Sequence, residues 1–363
     1  MNDKTKNIIN TILFTTIFVG LFLVNTILSD KDLSSSERRK LKQFPELTFD
    51  KILDTSFMDE FDKYVLDQFI LRDAFRSIKT NMELTIFNKK DNNDLFVYNN
   101  YIFKNLYPLN EKEVEITAKK IKYIQDLYLK DMNVYYTIIP DKNYYLNDNL
   151  GYLKIDYQKL ISIMNSNLTD MEYIDIFHSL NLSSYYRTDI HWRQDQLYNV
   201  LAKLAEQMGF YIDDNYIENI ISNFKGSYHG QLALNIKEDT IKYLTNEVLD
   251  KIMVYNYETN EYNSIYDLKK KDNVDMYDIF LSGPSALLDI NNPYATTDKE
   301  LIVFRDSFGS SLIPLLVNDY KKITVIDIRY ISSDYLSNFV DFNNQDVLFM
   351  YSTNIINSGS ILK

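Results

Sequence analysis

The chain has 363 residues, 45% of them hydrophobic, enough to bury one large core or two small ones and to exclude wholesale disorder. A formal charge of −12 at pH 7 argues against a nucleic-acid partner, because phosphate binding needs a basic surface. Cysteine is absent, which excludes a disulfide framework, a thiolate zinc site and a cysteine nucleophile, and the three histidines have no favourable spacing for a metal; neither a metal nor a cofactor is expected.

From Asn7 to Ser29 no residue is charged, and apolar residues run from Ile8 through Val24, about the length needed to cross a hydrocarbon core of roughly 30 Å. Residues 1–29 read as a tail and a transmembrane anchor. A cleaved signal peptide is the competing reading, but Val24 to Ser29 lacks a small-x-small cleavage site. Residues 30–45 are polar and charged, a juxtamembrane tether closed by Pro45, and 46–363 read as one large domain. Within it, apolar residues from Phe57 to Phe75 recur at helical spacing, and Leu95–Tyr98 and Tyr101–Lys104 flank Asn99-Asn100 as a two-residue hairpin.

An α/β rhythm follows. Glu111 to Leu129 keeps Val114, Ala118, Ile121, Ile124 and Leu127 on one helical face, and Val134 to Ile139 is a buried-strand run ending at Pro140. A second pair is a helix from Tyr157 to Asn165 and a strand from Tyr173 to Phe177; a helix from Gln194 to Met208 comes next. Residues 213–300 are less regular, an insertion holding a hairpin of Met253–Tyr257 and Tyr262–Tyr266 that could wall a cleft. Strands at Leu301–Phe304, Ile323–Ile328 and Val347–Tyr351 resume the pattern, with helices after Ser307 and near Ser333 to Phe339. Such alternation predicts a mostly parallel sheet covered by helices, with ligands at the strand carboxyl ends.

Two stretches carry chemistry. Tyr186 to Trp192 places Asp189 two residues before His191, and Leu301 to Ser311 reads as a strand ending in a polar turn at Ser307 and a helix from Phe308 to Leu316. A serine hydroxyl needs a base to take its proton, and the base needs a third group to hold its tautomer. Ser307, His191 and Asp189 supply that set. Taken singly, each has a plainer reading: Asp-x-His as a surface pair, Asp-Ser as a helix N-cap. Trp192 is expected to pack beneath its loop, Asp306 to form the turn, His178 to be a core or edge residue, and His229 to lie in a loop that could approach the cleft.

The Thr188-Asp189-Ile190-His191-Trp192 segment followed by Arg305-Asp306-Ser307-Phe308-Gly309 resembles the DHHW proteins and the related periplasmic proteins that acetylate alginate, which have SGNH-hydrolase-like domains. Ser36 to Pro45, Asp67 to Asp73, Phe224-Lys225-Gly226-Ser227 and Ile326 to Tyr330 also match. The resemblance implies a three-layer α/β/α domain in which the Asp-His motif precedes the serine, reversing the usual SGNH order. It implies a membrane-anchored O-acetyltransferase with Ser307 as nucleophile, His191 as base and Asp189 as orienter. A polysaccharide is the implied acceptor, and a multi-pass membrane acyltransferase the implied source of acetyl groups. Oxyanion or substrate contacts would come from Gly309, Arg329, Tyr330, Tyr351 and Asn354, whereas Pro284 stands where relatives often carry a Gly-Asn pair. An esterase using the same triad, or a non-catalytic polysaccharide-binding protein, is the alternative. The domain would face the extracellular side, although Lys4 and Lys6 before the helix against Lys31, Arg38, Arg39, Lys40 and Lys42 after it give the opposite positive-inside count.

Overall fold

The computed structural model describes residues 2–34, 36–213 and 215–363; Met1, Ser35 and Asp214, which fall in the expected tail, tether and insertion, lie outside the described residues. The chain divides into two compact units, one of residues 1–92 and 230–235, the other of 93–229 and 236–363. The helices that follow Pro45 belong with the N-terminal unit.

In that unit, α1 (Asp3–Ile27) is capped by the Asn2 side chain and is long and apolar enough to cross a membrane by length and composition. The tether is partly ordered: β1 (Leu33–Ser34) pairs antiparallel with β2 (Arg39–Lys40), and Leu41 is buried. Then come α2 (Phe49–Leu53), α3 (Ser56–Gln68) and α4 (Arg72–Asn81), two helices standing where one amphipathic run was expected. Arg39 clamps Asp67 through Nη1 and Nη2 at 2.7 and 2.5 Å, and this guanidinium holds the Asp67 carboxyl down to about 2.

The second unit begins with β3 (Leu95–Tyr98) and β4 (Tyr101–Lys104), the hairpin turning through Asn99 and Asn100, both at positive φ as a two-residue turn requires. Next are α5 (Glu111–Tyr128), β5 (Val134–Ile139), α6 (Tyr157–Asn167), β6 (Glu172–Tyr173) and α7 (Tyr198–Met208). β6 is cut short because Phe177 turns into a single 3₁₀ turn, which leaves His178 exposed rather than in the core. After it, β7 (Ile217–Phe224) leads into α8 (Ser227–Leu232), and β8 (Asp239–Thr245) pairs antiparallel with β7. The remaining elements are β9 (Met253–Asn256), β10 (Glu261–Ser264), β11 (Leu287–Asn291), β12 (Glu300–Arg305), α9 (Gly309–Leu312), β13 (Lys322–Ile326), β14 (Asp346–Ser352) and α10 (Thr353–Ile356).

Eight strands form one sheet in the order β10-β9-β11-β13-β12-β14-β5-β6. The five from β13 to β6 are parallel, and β11, β9 and β10 extend them antiparallel. Much of the expected 213–300 insertion is therefore sheet: its 253–264 hairpin is an edge of the main sheet, not a separate wall. Successive residues of β12 show the two-sided burial of a central strand. Leu301 and Val303 join a core with Val200, Leu204 of α7 and Leu312 of α9, while Ile302 and Phe304 join another with Val114 and Ile121 of α5, Leu160 of α6 and Ile355 of α10. The layers are α/β/α. Each fully buried Leu or Ile contributes about 1.5–3 kcal/mol, so these cores fix the sheet and hence the strand ends. β13 lies on one side of β12 and β14 on the other, the topological switch point at which α/β sheets bind ligands.

Candidate functional site

β12 ends at the switch point with Asp306 and Ser307. Asp306 shapes the turn: its Oδ1 accepts from the Phe308 amide at 2.9 Å and its Oδ2 from the Ser352 amide at 2.7 Å, tying the turn to the end of β14. The Gly309 amide donates to the Asp306 carbonyl at 3.1 Å. A Cβ on Gly309 would stand 2.8 Å from Arg305 Cβ, so only glycine lets the helix leave the strand this closely. The expected long helix is instead the single turn of α9 and a 3₁₀ turn, Ile313–Leu316, because Pro314 cannot continue the α pattern.

Opposite this turn, Tyr185 pairs antiparallel with Trp192, so residues 186–191 form a tight loop closed by the Tyr186 amide on the His191 carbonyl at 3.1 Å. Asp189 and His191 project from it together. Asp189 Oδ1 lies 2.6 Å from His191 Nδ1, and His191 Nε2 lies 2.8 Å from Ser307 Oγ. Asp189 is fully buried and His191 nearly so, while Ser307 is half-buried. The remaining Asp189 oxygen accepts from the Ser227 amide at 2.6 Å, and Oδ1 also accepts from the His191 amide at 3.0 Å. With Nδ1–H directed at the carboxylate, Nε2 carries the lone pair that faces the serine hydroxyl.

The loop is held from three directions by residues that the sequence did not single out. Asp239 of β8 accepts from the Arg187 and Thr188 amides at 3.0 and 2.7 Å and from Thr188 Oγ1 at 2.6 Å, and Thr188 Oγ1 in turn accepts from the Gly226 amide at 2.9 Å. Lys142, just beyond β5, is buried and directs its ammonium at the carbonyls of Ile102, Tyr186 and Asp189 at 2.6, 3.1 and 2.7 Å, using all three donors. Burial lowers the Lys142 pKa to about 7, against the attraction of Asp189, Asp239 and Asp141. Tyr277 stacks on the His191 ring at 3.8 Å with the planes 5° apart, and its hydroxyl donates to Ser311 Oγ at 2.9 Å. Thr188, Gly226 and Ser227 lie within stretches that carry the resemblance; Lys142, Asp239 and Tyr277 sit in segments with no motif of their own.

Trp192 packs under the loop as expected, fully buried, with Nε1 donating to the Phe308 carbonyl and Ser311 Oγ, each at 3.0 Å. His229 is half-buried on α8; its Nε2 faces the Ile236 carbonyl at 3.2 Å, and burial lowers its pKa. A narrow cleft of about 10 Å³, room for about one water, is lined by Asp141 and Lys142 after β5, Ser352 and Asn354 after β14, and Ile190 and Phe308, the neighbours of His191 and Ser307. Of the other expected contacts, Asn354 is the one in this cleft. Arg329 is bonded by Asp327 through Nε and Nη2 at 2.8 and 2.6 Å, a pairing that outweighs burial and raises its pKa; Tyr330 is exposed. Tyr351 is buried, and its hydroxyl has no hydrogen-bond partner among the described residues. Among those residues no group of acidic or histidine side chains could hold a metal.

Residues 152–326 match the family model described as DHHW protein. Among solved structures, a DHHW family protein from Eubacterium siraeum superposes with a TM-score of 0.60 at 17% identity, over 74% of this chain and 93% of that one. Bacillus cereus PatB1 gives 0.60 at 18% identity, over 75% and 99%, and its form with a sulfonyl adduct gives 0.58 at 18%, over 74% and 99%. No curated protein matches the sequence significantly. The fold shared with these structures is an α/β architecture with a large central sheet.

Proposed function

We propose that this chain, which carries a DHHW family domain over residues 152–326, is a membrane-anchored O-acetyltransferase that modifies an extracellular polysaccharide through Ser307, His191 and Asp189. The observation that carries the reading is the unbroken chain from buried Asp189 through His191 to a half-buried Ser307, with contacts of 2.6 and 2.8 Å. Ser307 Oγ attacks the acetyl carbonyl of a donor ester as His191 Nε2 takes the hydroxyl proton. Collapse of the tetrahedral intermediate expels the donor alkoxide, which receives that proton, and leaves acetyl-Ser307. A sugar hydroxyl then attacks this ester while giving its proton to Nε2; the second collapse forms the O-acetyl sugar and returns the proton to Ser307 Oγ. In both halves Asp189 stabilises the imidazolium that forms, while Tyr277 stacks on the ring.

The Gly309 amide is engaged by Asp306 and the Arg329 guanidinium by Asp327, so the polar donor we assign to the developing oxyanion is Asn354, in the cleft beside Phe308. With the domain outside the cell, the acetyl group comes from a multi-pass membrane acyltransferase, since acetyl-CoA stays inside. Transfer is separated from hydrolysis by incubating the full chain in detergent with a deuterated acetyl ester and a panel of oligosaccharides. Saccharides gaining one deuteroacetyl group, with free acetate falling as acceptor rises, are the expected products. Acetate release indifferent to every acceptor would replace the transferase reading with an esterase.

A further inference from the structure

Helix α4 is built inside out. Arg72 and Arg76, with side chains only 19% and 20% exposed, turn toward the body of the N-terminal unit, where Glu37 meets Arg72 Nη1 at 2.5 Å and Arg76 Nη2 at 3.3 Å. One turn on, Thr80 is 2% exposed and accepts from Asn92 Nδ2 at 2.7 Å. The opposite stripe, Leu71, Phe75, Ile78 and Met82, follows the i, i+4, i+7, i+11 spacing of one helical face and is 40–54% exposed along its whole length. A surface helix in water carries its apolar stripe inward and its charges outward.

The depth of this helix is set by hydrogen bonds to the end of α1. The Ile70 amide, at the turn into α4, donates to Asn25 Oδ1 at 3.1 Å. The Gln68 side chain exchanges two bonds with the Lys31 backbone, each 2.9 Å, and the Tyr64 hydroxyl donates to Asp30 at 3.1 Å. α1 has 25 residues, roughly 37 Å at about 1.5 Å per residue, against a hydrocarbon core of roughly 30 Å. Asn25 therefore stands in its last turn, at headgroup level. Lipid surrounds an anchored helix on every side, so a helix tethered at that level meets lipid before any other partner.

We infer that α4 is an interfacial helix, its Leu71-Phe75-Ile78-Met82 stripe sunk into the acyl-chain boundary of the leaflet from which α1 emerges. The inference rests on the proposed anchor. Helices of this type bury their apolar face about 5–10 Å into the boundary. Burial of this stripe, with α1 emerging beside it, gives the N-terminal unit two points of attachment and so a fixed tilt against the membrane, where a single span would leave it free to swing.

Because the chain has no cysteine, one can be introduced alone in the full chain at Phe75, Ile78, Ser77 or Phe18 and labelled with a small environment-sensitive fluorophore. Each labelled chain is reconstituted singly in phosphatidylcholine nanodiscs and exposed to nitroxide-bearing lipid or to aqueous iodide. The expected result is severalfold stronger quenching by the lipid nitroxide at positions 75 and 78 than at 77, with the order reversed for iodide. Iodide reaching 75 and 78 as freely as 77 would overturn the inference, as would shielding of 75 and 78 from both quenchers, which would mean that protein covers them. Position 18 separates the two claims: lipid quenching there without quenching at 75 and 78 rejects the interfacial helix alone, and no lipid quenching at 18 rejects the anchor as well.

Discussion

Replacing Gly226 with alanine puts a methyl carbon into the loop that carries Asp189. On the existing backbone that Cβ would lie 2.3 Å from the Thr188 carbonyl carbon and oxygen and 2.4 Å from Asp189 Cβ. Two of these three atoms are backbone, so no flexible side chain can swing away, and separation from 2.3 Å to the 3.4 Å of ordinary contact requires a shift of about 1.1 Å. The same shift strains the Ser227 amide bond to Asp189 Oδ2 and the Gly226 amide bond to Thr188 Oγ1. Misplacement of a catalytic group by about 1 Å costs about 100-fold in rate, and overpacking a filled site costs about 1–3 kcal/mol of stability. Gly226→Ala should therefore acylate Ser307 about 100-fold more slowly than the parent, with the fold retained. The assay is a time course of acetyl adduct by intact mass with an activated ester in excess, alongside a thermal melt. A folded variant acylating within threefold of the parent would refute the idea that this close approach positions Asp189.

Asp189→Asn keeps the shape but presents an amide to Nδ1 and favours the wrong tautomer, so ester turnover should fall by about 10³–10⁴-fold at unchanged melting temperature. Tyr277→Leu removes the stacked face and the bond to Ser311; turnover should drop about 3- to 30-fold, the equivalent of about 0.5–2 kcal/mol, with the melting temperature showing whether the fold is retained. Lys142 gives a pH test of stability. Its folded pKa is lowered to about 7 by burial, whereas an unfolded lysine keeps its proton to about 10.4. Between those values the unfolded chain binds more protons, so the cost of burying the cation, fully present below pH 7, is relieved as pH rises, by about 1.4 kcal/mol per pH unit. Urea unfolding at about pH 7.5 and 9.5 should show that slope in the parent and not in Lys142→Met; equal slopes would mean that the three carbonyls hold the ammonium charged throughout.

The pieces of the site that are local in sequence could be read from it. A two-residue spacing from Asp189 to His191, and a buried strand run broken by Asp-Ser before a helix, are short-range signals, and the two-sided burial of β12 and β14 shows as continuous apolar runs. The Asn99-Asn100 hairpin was equally legible, because the turn demands residues that tolerate positive φ. What holds the triad loop was not. Asp239 meets Thr188 from 51 residues away and Lys142 meets the Asp189 carbonyl from 47, and a lone lysine or aspartate says nothing about the carbonyl or amide it will find. Strand β11 escaped because Leu287–Asn291 has no partner signal of its own; it is buried only by pairing β13 and β9 at once. β7 and β8 alternate weakly, with much of β7 exposed, so neither showed the period of a strand.

The central claim is that Ser307 becomes an acetyl ester with His191 as its base. The direct measurement is intact mass of the detergent-solubilised chain after incubation with an activated acetyl ester, followed by peptide mapping, for the parent, Ser307→Ala and His191→Ala. One acetyl group in the parent, mapped to Ser307 and missing from both variants, is the predicted result. An adduct on another residue, or one that survives in Ser307→Ala, would contradict it.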